Sequence, residues 1–218
     1  MAEQRWERLL PLAGVLATVL WLIGVFVIES GDTPGENATP QQVAAHFDAD
    51  RISVILGGFL FALGSALFLV FLGSLRTAFD RARGGPTPLS AALGATGLAT
   101  GILSMGAVVP GIAAGLSSEV DGRPVGPEAA DALWALGDGF FVVTEAAGAV
   151  FLVAFALLVL RTRLVPVWLG WASLALGAVM LVPPIGWAAV IFGLPVWTVL
   201  VGALLLRRGE AEPTAASA

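Results

Sequence analysis

Residues 9–28 run for twenty positions without a charged side chain. Five further stretches, 52–75, 89–110, 140–160, 164–182 and 185–206, repeat the pattern with one exception, Glu145. About twenty apolar residues wound at 1.5 Å each match the roughly 30 Å of a bilayer's hydrocarbon. Hydrocarbon offers backbone N–H and C=O groups no partner, so each stretch must close its hydrogen bonds internally as a helix. The fold class that follows is all-α: a polytopic membrane protein with six transmembrane helices. Composition agrees, with 57% hydrophobic and 12% charged residues, against about 45–50% and about 25% in soluble domains. Residues 1–208 form one membrane domain on this reading, and 209–218 a disordered cytoplasmic tail. The first apolar run passes into Glu29-Ser30-Gly31 without a small-residue cleavage site, so it reads as an uncleaved span.

The loops carry the orientation. Placing both termini in the cytoplasm puts Arg5, Arg8, Arg76, Arg81, Arg83, Arg161, Arg163, Arg207 and Arg208 inside and leaves Arg51 and Arg123 outside. Arginine concentrates on the cytoplasmic side of membrane proteins, so this orientation is favoured. The outer loops hold the acids, among them Glu29, Asp32, Glu36, Glu119 and Asp131. Trp6 and Trp168 fall near the inner interface, and Trp134 and Trp187 near the outer one. One polar loop contains a helix start. In Thr39-Pro40-Gln41-Gln42 a threonine cap, a proline at the first position and a glutamine reaching back predict an amphipathic helix to about Ala49, with Val43 and Phe47 on one face. It would lie on the outer membrane surface or cap the bundle.

Two carboxylates fall on the fourth span. Counting back from Arg161 puts Glu145 about 24 Å away and Asp138 about 35 Å away, so Glu145 is within the hydrocarbon and Asp138 near its outer boundary. An ionised carboxylate there costs about 2.5–3.5 kcal/mol or more unless it faces the bundle interior, pairs, or takes up a proton. Glu145 and Asp138 are therefore ligand or ion candidates, with structural alternatives beside them. Glu145 can be a packing element tied to Thr144, a backbone group or an arginine. Asp138, inside Gly137-Asp138-Gly139, can cap a helix that breaks or kinks there. Arg51, or less readily Arg123, is the expected counter-charge for Glu29, Asp138 or Glu145.

His46, the one histidine, lies four residues before Asp50. The pair is a weak candidate for metal binding or pH sensing, because one imidazole with one carboxylate is an incomplete metal site. Cysteine is absent, which removes thiolate ligands and nucleophiles. No metalloprotease, hydrolase-elbow, phosphate-loop or dinucleotide motif occurs, so no cofactor or catalytic residue is implied and an enzyme is disfavoured. Gly97 with Gly101, and Gly111 with Gly115, have the spacing of close helix contacts, more readily within one chain than between two. The third span should end near Pro110 and the sixth bend at Pro195.

The capped stretch Thr39-Pro40-Gln41-Gln42-Val43-Ala44-Ala45-His46-Phe47, the Trp134-Ala135-Leu136 opening and Pro166-Val167-Trp168-Leu169-Gly170-Trp171 resemble the domain-of-unknown-function family 4386 of bacterial, notably actinobacterial, membrane proteins. The resemblance implies a six-span fold in the bacterial cell membrane and carries no activity or site residues. Two functional classes stay open. One is a non-enzymatic accessory protein of the envelope that docks another membrane protein. The other handles a small ligand, ion or proton through Glu145 in an outward-facing cavity. The lipid bilayer is the expected partner in both, and nucleic acid in neither.

Overall fold

A computed structural model of the chain describes residues 9–35 and 37–211. Arg5, Trp6, Arg8, Glu36 and the end of the tail, 212–218, lie outside the described residues. The described chain is helical, with no strand: α1 Leu12–Ile28, α2 Pro40–Ala49, α3 Arg51–Ala82, α4 Pro88–Asp121, α5 Pro127–Thr162, α6 Val167–Met180, α7 Pro183–Ala188 and α8 Leu194–Ala211, with a π turn at Ala189–Gly193. Four stretches are long and apolar enough to cross a membrane: Arg51–Ala82, Pro88–Glu119, Pro127–Thr162 and Ile185–Arg208. Leu12–Ile28 and Val167–Met180 are shorter apolar helices.

The capping box forms as its residues dictate. The Gln42 N–H donates to Thr39 Oγ1 at 3.4 Å, and the Thr39 N–H donates to Gln42 Oε1 at 2.7 Å, closing two backbone donors that a helix start otherwise leaves open. Two expected interruptions give way to continuous helix. Helix α4 continues through Pro110 to Asp121. The proline removes one bond, to the Gly106 carbonyl, and packing on both sides holds the helix: a side chain at Gly106 would meet Phe140, and one at Gly111 would meet Val54 and Phe47. Helix α5 runs unbroken through Gly137-Asp138-Gly139. Gly137 serves close approach there, because a Cβ on it would lie 3.0 Å from the Ala107 carbonyl oxygen. Ahead of Pro195, the Leu194 N–H reaches five residues back to the Ala189 carbonyl, and this wider turn accommodates the ring that cannot donate to Ile191. Helix α8 continues to Ala211, taking in the first three residues of the expected tail.

The helices divide into two compact units. The first comprises Met1–Thr18, Ala66–Gly101 and Thr144–Ala218; the second comprises Val19–Ser65 and Ile102–Val143. An aromatic cluster organises the first. The Trp197 ring stands edge-on to Phe155, Phe151 and Phe71 at centroid distances of 4.7, 5.3 and 6.4 Å, the arrangement that ring quadrupoles favour. Its Nε1–H donates to Ser173 Oγ at 2.8 Å, and that hydroxyl donates to the Leu169 carbonyl at 2.7 Å. Gly97 lies against Leu72 and Phe151, and Gly101 against Leu69 and Phe68, so this glycine pair packs within the chain.

In the second unit, α1 and α3 meet backbone to backbone. A Cβ on Gly24 would sit 2.7 Å from the Gly57 carbonyl oxygen, and one on Gly57 would sit 2.6 Å from that of Gly24. Glycines permit this contact because nothing projects between the helices. Beside it, Trp21 Nε1–H donates to Ser65 Oγ at 2.8 Å. Helix α2 turns its apolar face onto protein: Val43 and Phe47 are buried with Val54, Ala114 and Ala130. Large apolar side chains meanwhile face outward, including Phe26, Phe59, Val142, Trp171 and Val196. An exterior of this kind suits acyl chains as solvent.

Trp197→Ala removes three ring contacts and a donor at once. It is expected to destabilise the first unit by about 3–5 kcal/mol, read as a lower thermal unfolding midpoint in detergent, with Trp197→Phe recovering most of the loss.

Candidate functional site

Glu145 follows Thr144 on the face of α5 that is turned into the first unit, and only 9% of it is exposed. Its carboxyl lies over Gly186. A Cβ on that glycine would be 3.0 Å from the Glu145 Cδ and Oε2 and 2.6 Å from the Met180 carbonyl oxygen. Two oxygens thus converge where residue 186 has no side chain. Three residues on, a Cβ on Gly148 would meet the Met180 sulfur at 3.2 Å and the Thr100 methyl at 3.7 Å, so the wall beside the carboxyl is apolar. Among the described residues no arginine pairs with Glu145, and no hydrogen-bond donor reaches it. The expected tie to Thr144, a backbone donor or an arginine is therefore absent from these residues. Asp138 is exposed and sits within a continuous helix, so it caps none.

A second polar group gathers around α2. His46 is buried, 5% exposed, with its ring 5.8 Å from Phe47 and edge-on to Trp134 at 6.0 Å. Its Nδ1 lies 3.1 Å from Asp50 Oδ2, as the four-residue spacing predicts. A helix face turned onto protein makes His46 part of a core. A metal would need more ligands, and no group of three or more His, Asp or Glu side chains able to hold one occurs among the described residues.

Arg51 finds a partner outside the expected set of Glu29, Asp138 and Glu145. Its Nε–H donates to Glu119 Oε2 at 2.5 Å, and Nη1–H donates to the Asp48 carbonyl at 2.8 Å. Helix α4, by continuing past Pro110, carries Glu119 to the arginine. One residue earlier, the Ser118 hydroxyl donates to the Asp48 carboxylate. Together these contacts latch both the end of α2 and the start of α3 to the end of α4. Asp48, Met180 and Gly186 were not singled out from the sequence as site residues, and Glu119 entered only as one of the outer acids. For Met180 a signal existed in Pro183-Pro184, two successive residues that cannot donate to the helix before them.

Buried hydroxyls within the helices are closed. Ser65 donates to Phe61, Thr100 to Thr96, Ser173 to Leu169 and Thr198 to Leu194, each to its own helix at 2.7–3.1 Å. Thr18 Oγ1 lies 3.1 Å from the Gly14 carbonyl oxygen and 3.2 Å from that of Pro195. Back-bonding of this kind satisfies the hydroxyl and offers a solute nothing.

Comparison with known proteins finds no matching family model, no matching curated protein and no matching solved structure.

If Asp48 and Ser118 form the latch, Asp48→Ala and Ser118→Ala are non-additive. A double-mutant cycle on thermal unfolding should return a coupling of about 1 kcal/mol, and amide exchange in α2 should quicken in either single variant.

Proposed function

We propose that this is a non-enzymatic, six-span protein of the bacterial cell membrane, both termini cytoplasmic, that serves the envelope by docking another membrane protein. The four long helices supply four crossings, and Leu12–Ile28 and Val167–Met180 supply the other two. Seventeen residues stand at the short end of what spans a bilayer, and α6 is lengthened by the apolar residues on either side of it. Kinship with the domain-of-unknown-function family 4386 belongs to the same proposal and rests on the motifs quoted above.

The observation that carries docking is charge on a latched platform. The second unit holds ten acidic residues and two arginines, and the first holds six and nine. Glu29, Asp32, Glu119, Glu128 and Asp131 are exposed, while α2 beside them is tied down through Asp48 and Arg51. A rigid acidic surface costs little ordering on binding and selects a basic partner face. The closed hydroxyls within the helices favour docking over transport, since they line no polar path. The transport-like reading keeps one observation in its favour: among the described residues no arginine closes Glu145.

Absence of cysteine makes single-cysteine mapping direct. An impermeant maleimide added to intact cells is expected to label Asn37→Cys, Gly122→Cys and Asp131→Cys, and to leave Gly85→Cys and Thr162→Cys untouched. A photoactivatable maleimide on Asp131→Cys should then join the chain to one membrane protein in native membranes, and adding Glu128→Arg should remove the adduct. Labelling of Gly85→Cys from outside reverses the orientation. Absence of an adduct, together with Glu145-dependent solute uptake by proteoliposomes, replaces docking with transport.

A further inference from the structure

The Met180 carbonyl ends α6, and the residues that would normally donate to it, three and four positions on, are Pro183 and Pro184. Neither has an N–H. The next two N–H groups are also committed, because Ile185 and Gly186 both donate to the Val182 carbonyl, at 3.0 and 2.8 Å. Met180 is buried, 1% exposed, and so stands away from bulk water. A buried carbonyl oxygen without a donor is uncommon and costly. This one converges with Glu145 Oε2 on the bare face of Gly186, at 2.6 and 3.0 Å from the same point.

Two acceptors brought together in an apolar setting repel unless something positive lies between them. Among the described residues no side-chain donor reaches either oxygen. Within the first unit α6, α7, the π turn and residues 88–101 of α4 carry no titratable side chain. On α5 the next charges are Arg161, sixteen residues on, and Asp138, seven residues back. The ions of residues 66–82 include Arg76, Asp80 and Arg81, and Arg76 pairs with Asp80 at 3.6 Å. From these observations we propose that Glu145 and the Met180 carbonyl oxygen form a binding site for one small monocation, a proton or a sodium-sized ion, held between the carboxyl and the carbonyl. In the proton-loaded form the Glu145 O–H donates to the Met180 oxygen; in the metal-loaded form both oxygens ligate the ion. Gly186 is a positioning residue, since any side chain there would part the two oxygens. Neither docking nor six crossings is needed for this site.

A hydrophobic carbodiimide tests it. The neutral acid adds across one C=N bond of the reagent: the carboxyl oxygen bonds to the central carbon and the proton moves to nitrogen. Rearrangement to the N-acylurea then keeps every atom, so the peptide gains the full mass of the reagent. The full chain in liposomes, reacted between about pH 5 and pH 9 with sodium or choline chloride, is expected to carry the label on Glu145. A label that falls at least tenfold as pH rises, alike in both salts, identifies the proton. A label present in choline and suppressed in sodium identifies the metal ion. Pro184→Ala introduces an N–H four residues after Met180. It should lower labelling several-fold at a given pH in the first case, and raise the sodium needed for protection in the second. Glu145→Gln, whose amide can donate permanently to the carbonyl, should fold normally and abolish the label. Glu145 unlabelled in every condition, or labelled equally in all of them and in Pro184→Ala, overturns the site.

Discussion

Hydrocarbon gives a polar atom no water to fall back on, so each one inside the helices must find its partner within the chain. That requirement explains more of this structure than any single packing contact. Ser65, Thr100, Ser173 and Thr198 return their hydroxyl protons to the preceding turn of their own helices. Two of those hydroxyls also receive an indole: Trp21 reaches Ser65 and Trp197 reaches Ser173. Each indole thereby places a large ring in a core without leaving its N–H unpaired, and the helices are pinned where the hydroxyls happen to be.

Seen this way, Glu145 and Met180 are one irregularity with two halves. The double proline leaves a carbonyl short of a donor, and one α5 turn away from Gly148 a carboxyl approaches it across a glycine. Each group alone would be costly. Set against each other, they are satisfied by a single positive charge smaller than any side chain. The second unit solves its polar problem by other means, with Arg51, Glu119, Asp48 and Ser118 tying helix ends together where charged side chains are still partly exposed.

What could be read from the residues follows the range of the forces involved. The α2 helix was legible to its ends, because Thr39, Pro40 and Gln42 act within one turn. The placement of Glu145 away from the exterior was legible too, since a carboxyl in an apolar run has few places to go. Interactions across helices were not. Gly24 and Gly57 are two glycines among 27, and only the crossing of α1 and α3 distinguishes them. Arg51 had several acids in reach by sequence, and its choice of Glu119 depended on α4 passing through Pro110. Helix breaks were overestimated for the same reason. Pro110 and Gly137 weaken a helix locally, but neighbouring helices compensate, and Gly137 itself makes the approach that holds α5 straight through.

By our proposal the Glu145 carboxyl and the Met180 carbonyl share one monocation inside the protein. Infrared difference spectroscopy of lipid-reconstituted protein, wild type minus Glu145→Gln, tests it most directly. The expected result is either the C=O stretch of a hydrogen-bonded carboxylic acid, or carboxylate bands that shift when sodium replaces choline, with the Met180 amide carbonyl shifting alongside in isotope-labelled protein. Carboxylate bands indifferent to both pH and sodium, with an unperturbed Met180 carbonyl, would contradict it.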